Sequence, residues 1–177
     1  AFKALTEKYP ADVQSRLFSL FLQRDGFDAS GNPLVGQKRA NEGIKKLLDE
    51  NPDNYSVMAF WVNSQSEGPA NAPVLRDEVL PVAQKLVKLQ PEYPPYQLML
   101  AHLEARCGNV ALAVHAAGEA ARLFKVYMDE EKVSFYDCDG WIRAKVYLAT
   151  LHEIKGEETK AETVANELAV IKIAEDR

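Results

Sequence analysis

The residues that could carry chemistry come first. His102 and Glu104 form an H-x-E pair, and Cys107 follows five residues after the histidine. A zinc deaminase uses such a pair, with histidine on the metal and glutamate moving protons. It also needs a later P-C-x-x-C, which this chain lacks. His102, His115 and His152 are the three histidines, and none has a second histidine at the i+4 spacing of H-E-x-x-H. "DGFDASGNPLVG" alternates Asp28, Ser30 and Asn32 in the manner of a calcium loop. Counted from Asp28, the sixth residue is Pro33 and the twelfth Arg39, where calcium needs glycine and a bidentate glutamate. These residues read as turn formers instead. So does "YDCDGW", where Asp137 and Asp139 have no further ligand. Nucleophile-elbow, P-loop and dinucleotide-binding glycine patterns are missing. No catalytic residue, metal ligand or cofactor is assigned, and the chain reads as a non-enzyme.

Composition narrows the class further. The 177 residues are 47% hydrophobic and 27% charged, the balance of a folded chain. A net charge of −5 argues against a nucleic-acid surface, which needs clustered Lys and Arg. No apolar run approaches the roughly 20 residues of a membrane span. "AFKALTEKYP" reads as the end of a helix, so the chain is expected to be an excised or processed piece. The compartment, cytoplasm or cell envelope, stays open, with any targeting signal outside these residues. Two cysteines are too few for a disulfide scaffold. Cys107 and Cys138 read as free thiols, with one bridge between them as the alternative.

The elements that must position these residues are helices. Val13, Leu17, Leu20 and Phe21 fall on one helical stripe, as do Ile44, Leu47 and Leu48, and Met58, Trp61 and Val62. Val79, Val82, Ala83, Leu86 and Leu89 make another, and Val146, Ala149, Leu151 and Ile154 precede a last one at Ala161, Val164, Ala165 and Leu168. Strand alternation is nearly absent. "YPAD", "NPDN" and "QPEYPP" each end an apolar helix, since proline lacks the amide hydrogen and clashes with the preceding turn. Asp12 and Asp53 are expected to cap the helices that follow.

The stretch 98–124 matches the C-terminal segment at an offset of 48. Leu100 pairs with Leu148, Ala101 with Ala149, Gly108 with Gly156, Ala113 with Ala161 and Ala117 with Ala165. A large residue, a small one, a glycine seven later and alanines five and nine beyond it resemble the tetratricopeptide (TPR) repeat, a helix hairpin of about 34 residues. Small residues let the two helices approach and let the next hairpin dock. The resemblance is clear over 94–173 and degenerate over 11–93.

What it implies is an all-α, right-handed α-solenoid of about four TPR-like hairpins in one domain. Residues 1–9 would be the end of a truncated preceding repeat, and the hairpins 11–51, 52–90, 94–128 and 139–173. Loops would be inserted at "RDGFDASGNPLVG", "SEGPANAP" and "DEEKVSFYDCDG".

In TPR proteins the first helices line a concave groove that binds a peptide or a partner protein. Placing that face here gives Phe21, Asn63, His102, Arg106, Arg143 and Thr150 as groove residues. The chaperone-tail clamp of lysine, asparagine and arginine that some TPRs carry is not reproduced. Only Asn63 matches, and Leu17, Phe21 and Leu98 stand where cations or amides belong. Tyr93, Tyr96, Tyr127, Phe135 and Tyr136 cluster at inter-repeat turns, as junction seals or contact residues. The expectation is a protein-interaction scaffold. Its partner is another protein or peptide, with no nucleic acid and no membrane span. The alternatives are a structural segment of a longer array that self-associates, and a ligand-binding or hydrolytic domain on a TPR-like frame.

Overall fold

The computed structural model describes residues 2–66, 68 and 73–169. Helix α1 runs Phe2–Lys8 and α2 Val13–Phe21. Asp12 starts α2 by accepting the Ser15 N–H at 2.7 Å. Helix α3 spans Val35–Glu50 and α4 Tyr55–Ser66. The cap of α4 is Asn54, whose Oδ1 accepts the Val57 N–H at 3.1 Å. The expectation for Asp53 is therefore corrected. The helix begins at Tyr55, so the capping position falls one residue later, and Asp53 pairs with Lys85 at 2.7 Å instead. A π-helical turn, Leu75–Val79, leads into α5, Leu80–Leu89. Much of "SEGPANAP" lies outside the described residues.

Helix α6, Pro94–Arg106, opens on two prolines, which suit a first turn whose amides have no intrahelical acceptor. Helix α7 is Val110–Glu131, α8 Asp139–Ile154 and α9 Glu158–Ala169. The third expected insertion is only partly loop. Helix α7 continues through its first three residues, and a 3-10 turn, Phe135–Asp137, precedes α8. The last four residues of the expected fourth hairpin, 170–173, lie outside the described residues.

Two compact units result, Ala1–Leu86 and Val87–Arg177. In the first, α2, α3 and α4 pack in sequence around Leu17, Ile44, Leu47, Val57, Met58 and Val62, all withdrawn from water. A fully buried side chain of this size contributes about 2 kcal/mol by transfer from water. Gly43 permits the close approach of α2 and α3, since a Cβ there would lie 2.5 Å from Leu20 Cδ2. The inserted loop before α3 is well tied. Phe27 and Pro33 form an isolated antiparallel bridge. Asp28 Oδ1 accepts the N–H groups of Ser30 and Asn32, each at 2.8 Å. Asp25 reaches across to accept Gly36 N–H at 2.9 Å and Gln37 N–H at 2.6 Å, a cap for α3 supplied from ten residues upstream of its first residue. Those two amides hold the Asp25 carboxyl below the usual range.

In the second unit the alanines of the α6–α7 hairpin do the packing. Ala101, Ala113, Ala116 and Ala117 are buried with Leu148, Leu151 and Val164. Ala120 and Ala121 meet Ala144, while Met128, Cys138 and Trp141 form a third cluster. The α6–α7 and α8–α9 turns share one design. Gly108 has φ 84° and Gly156 φ 72°, the left-handed region that glycine enters without penalty. The N–H of Asn109 bonds Glu104 C=O at 2.8 Å and that of Gly108 bonds Ala105 C=O at 3.0 Å. In the second turn, Glu157 bonds His152 at 2.9 Å and Gly156 bonds Glu153 at 2.8 Å. These are two Schellman motifs.

Their side chains also pair across the turn, but as polar contacts where an apolar one is usual. Asn109 Nδ2 donates to Glu104 Oε2 at 2.7 Å, and His152 Nδ1 lies 2.7 Å from Glu157 Oε2. Glu104 is 2% exposed and His152 8%. The H-x-E pair is thereby split, since His102 lies at the surface while Glu104 is turned into the hairpin.

Candidate functional site

The first helices of successive hairpins touch within each unit, α2 with α4 and α6 with α8. The α6–α8 face holds four of the six expected groove residues. His102 and Arg106 stand four residues apart on α6, so they share a side of the helix. On α8, Arg143, Thr150 and Ile154 follow helical spacing with Tyr147 between them. The His102 and Tyr147 rings stack with centroids 3.9 Å apart and planes 36° apart. Partial cover of the surface imidazole lowers the His102 pKa from 6.5, and the positive charge of Arg106 adds to the effect. Burial raises the Tyr147 phenol above 10, with Arg106 opposing. Both shifts favour the uncharged ring, and the charge of Arg106 acts on both.

The flanks of this face differ in kind. Arg143 is largely exposed and paired with Asp139 at 2.7 Å, one turn back. Thr150 turns its hydroxyl onto its own helix and donates to Val146 C=O at 3.1 Å. Val146 and Ile154 leave 51% and 63% of their surface in water. Tyr147 is the residue that sequence reasoning passed over. Its spacing of four from Arg143 and three from Thr150 was the available signal.

In the first unit, Phe21 closes α2 with its ring 4.7 Å from Phe60 on α4, edge to face. Phe18 meets the same Phe60 ring at 5.2 Å. The Arg24 guanidinium lies 3.5 Å from the Phe21 ring centroid. Asn63 is exposed on α4, three residues beyond Phe60. Phe18, Phe60 and Arg24 were not singled out from the sequence. Leu17, by contrast, is fully buried core.

The remaining candidates find structural places. Asp28 directs both oxygens at its own loop, Oδ1 to the backbone and Oδ2 to Asn32 Nδ2 at 3.1 Å. Asp137 accepts the Ser134 hydroxyl at 2.7 Å. Cys107 and Cys138 are buried free thiols. Among the described residues, no three His, Cys, Asp or Glu side chains gather as a metal site would require. Tyr93 stacks edge to face on Tyr96 at 4.5 Å, and Phe135 packs on Trp141 at 5.1 Å. Tyr93, Tyr127 and Tyr136 remain exposed. No helix among the described residues is long and apolar enough to cross a membrane.

No protein-family model and no curated protein sequence matches the chain. Solved structures do. MamA from residue 41 to its end, from Desulfovibrio magneticus RS-1, superposes with a TM-score of 0.70 at 14% identity, over 99% of this chain and 84% of that one. A second MamA structure gives 0.63 at 14% identity, over 98% and 84%. MamA MSR-1 gives 0.62 at 16% identity, over 95% and 83%. At such identity the likeness establishes the fold: an all-α, TPR-like helical architecture.

Proposed function

We propose, on the premise of that TPR-like fold, that the chain is a non-catalytic scaffold holding a segment of another protein against the α6–α8 face. The observation that carries this reading is the His102–Tyr147 stack beside Arg106, flanked by Val146 and Ile154. Tyr147 packs one side of its ring on the Ala101–Leu148 cluster, and capping does not explain the histidine and arginine that meet it. Exposed apolar residues grouped around such a stack mark a contact patch. Tyrosine and arginine are also the residues that most often dominate binding energy.

The partner chemistry follows from the face. A ring or branched aliphatic side chain would lie against Tyr147 and Val146, and a carboxylate would pair with Arg106. The TPR resemblance supports the placement, since first helices form the binding face in that family. Phe21 and Asn63 belong to the corresponding face of the first unit.

Selection of binders from a random peptide library displayed against the whole chain tests this. The expected result is enrichment of sequences with an acidic residue next to an apolar one. Those peptides should fail to bind a chain carrying Arg106→Glu and Tyr147→Ala. Enriched peptides that ignore both substitutions would overturn the assignment. Concentration-dependent oligomers blocked by the same substitutions would make a second copy of this chain the partner.

A further inference from the structure

Helix α7 is 22 residues long and its hairpin partner α6 is 13, so the last turns of α7 run past the start of α6. An antiparallel helix covers only the stretch beside it. Val126 and Tyr127 on the overhang are exposed, and so is Tyr93 in the turn that enters α6. Tyr93 is held in place by its N–H, bonded to Gln90 C=O at 3.2 Å, and by its edge-to-face contact with Tyr96. The two tyrosines, Pro94, Pro95 and Val126 line a cleft of about 650 Å³. That volume falls within the range of binding sites, about 300–1,000 Å³.

The charged side chains of this cleft are unbalanced. Two lining carboxylates, Glu92 and Glu130, come from different elements, and Arg122 is the lining cation among the described residues. Arg122 is already engaged on its own helix, with Nε 2.9 Å from Glu119 Oε2 and Nη2 2.6 Å from Glu119 Oε1. The charge of Glu92 reaches Arg122 as well. Lys125 is paired with Asp129. Glu130 has no hydrogen bond or ion pair among the described residues. The cleft is therefore aromatic and net negative. Tyrosine faces attract a cation through the ring quadrupole, and a carboxylate beside them adds a charge-assisted hydrogen bond. A guanidinium satisfies both better than an ammonium, because it is planar enough to stack and forked enough to meet a carboxylate with two N–H groups.

We propose that this cleft binds an arginine side chain of an extended segment of a partner protein. The guanidinium would lie against the tyrosine rings and donate to Glu130, with the flanking backbone on Pro94 and Val126. An acidic segment does not fit, because its carboxylates would meet Glu92 and Glu130. The cleft shares no residue with the α6–α8 face, whose expected ligand carries the opposite charge, and this inference does not rest on that reading.

The probe is a blocked pentapeptide, one arginine with two prolines on each side, titrated into the ¹⁵N-labelled whole chain at low salt. Proline keeps it extended before it binds, which lowers the entropy cost. Saturable shifts of the Tyr127 and Glu130 backbone amides are expected, with a dissociation constant of about 1 mM. The citrulline peptide, of the same shape without the charge, should bind about tenfold more weakly. Tyr127→Ala and Glu130→Gln should each weaken binding about threefold or more. Both side chains are exposed, and each variant's backbone spectrum verifies its fold. Glu162→Gln removes the same charge from an exposed position on α9, outside the cleft, and should leave affinity unchanged. A loss with Glu162→Gln equal to that with Glu130→Gln would reduce the binding to general attraction and overturn the site. Unmoved amides, or a citrulline peptide that binds equally, would overturn it too. A lysine peptide of equal affinity would overturn the choice of arginine.

Discussion

On α2 and α4 three phenylalanines meet edge to face, and on α6 and α8 an imidazole meets a phenol at a shallow tilt. Both faces pair first helices; Arg24 lies over the Phe21 ring on one, and the charge of Arg106 acts on the rings of the other. They differ in what the rings could do. Phe18, Phe21 and Phe60 offer area and quadrupole alone, and Phe60 serves both neighbours. His102 and Tyr147 keep hydrogen-bonding atoms at the surface, with pKa values moved in opposite directions by withdrawal from water. The first arrangement reads as packing that joins two helices. The second also packs, since Tyr147 lies on the Ala101–Leu148 cluster, but it adds polar ring atoms that phenylalanine lacks, which is what the proposed recognition uses.

Substitutions can break or sharpen that contrast. Phe60→Ala should have the largest effect, about 3 kcal/mol lost in urea unfolding, since one ring supports two others. Tyr147→Ala should cost about 1 kcal/mol in the same measurement, because its ring is half-buried and has one aromatic partner. Equal losses would erase the distinction between the faces. Arg24→Ala should remove a cation–π contact of about 0.5–1 kcal/mol, visible as a small shift of the urea midpoint.

The smallest effects are pH-dependent, and two of them fall in the second unit. Hydrogen bonds from Lys155, His152 and Lys160 lower Glu157 from 4.5 to about 2. A lowered carboxyl pKa stabilises the fold above its unfolded value, and that contribution disappears as pH falls from 4.5 toward 2. Glu157→Gln should flatten the acid limb of a thermal-stability profile in that window. His102 has a dependence of the same sign at higher pH. Its folded pKa lies below 6.5, so protonation opposes folding and stability declines as pH drops below 6.5. His102→Phe should remove that slope, and an unchanged profile would place the imidazole in water rather than against Tyr147.

Much of the architecture was legible because it depends on short-range rules. The match of Gly108 to Gly156 reflects a left-handed turn residue, and the buried alanines at 101, 113 and 117 reflect close helix approach. Asp12 was readable as a cap because its partner is three residues away. Asp25 was not, because it caps α3 across a loop whose path no local pattern specifies. Asp53 was misread by one residue, the usual uncertainty of a helix boundary. The α6–α8 stack was hidden for a different reason. Tyr147 lies in mid-helix, and its meeting with His102, 45 residues earlier, depends on two hairpins docking.

The central claim is that the α6–α8 face recognises a partner segment and the α2–α4 face mainly holds helices together. The most direct test is fluorescence anisotropy of one library-selected peptide against three chains: unmodified, Arg106→Glu with Tyr147→Ala, and Phe21→Ala. The account predicts at least tenfold weaker binding, about 1.4 kcal/mol, for the double variant and less than twofold change for Phe21→Ala. Affinity retained by the double variant and lost with Phe21→Ala would contradict it.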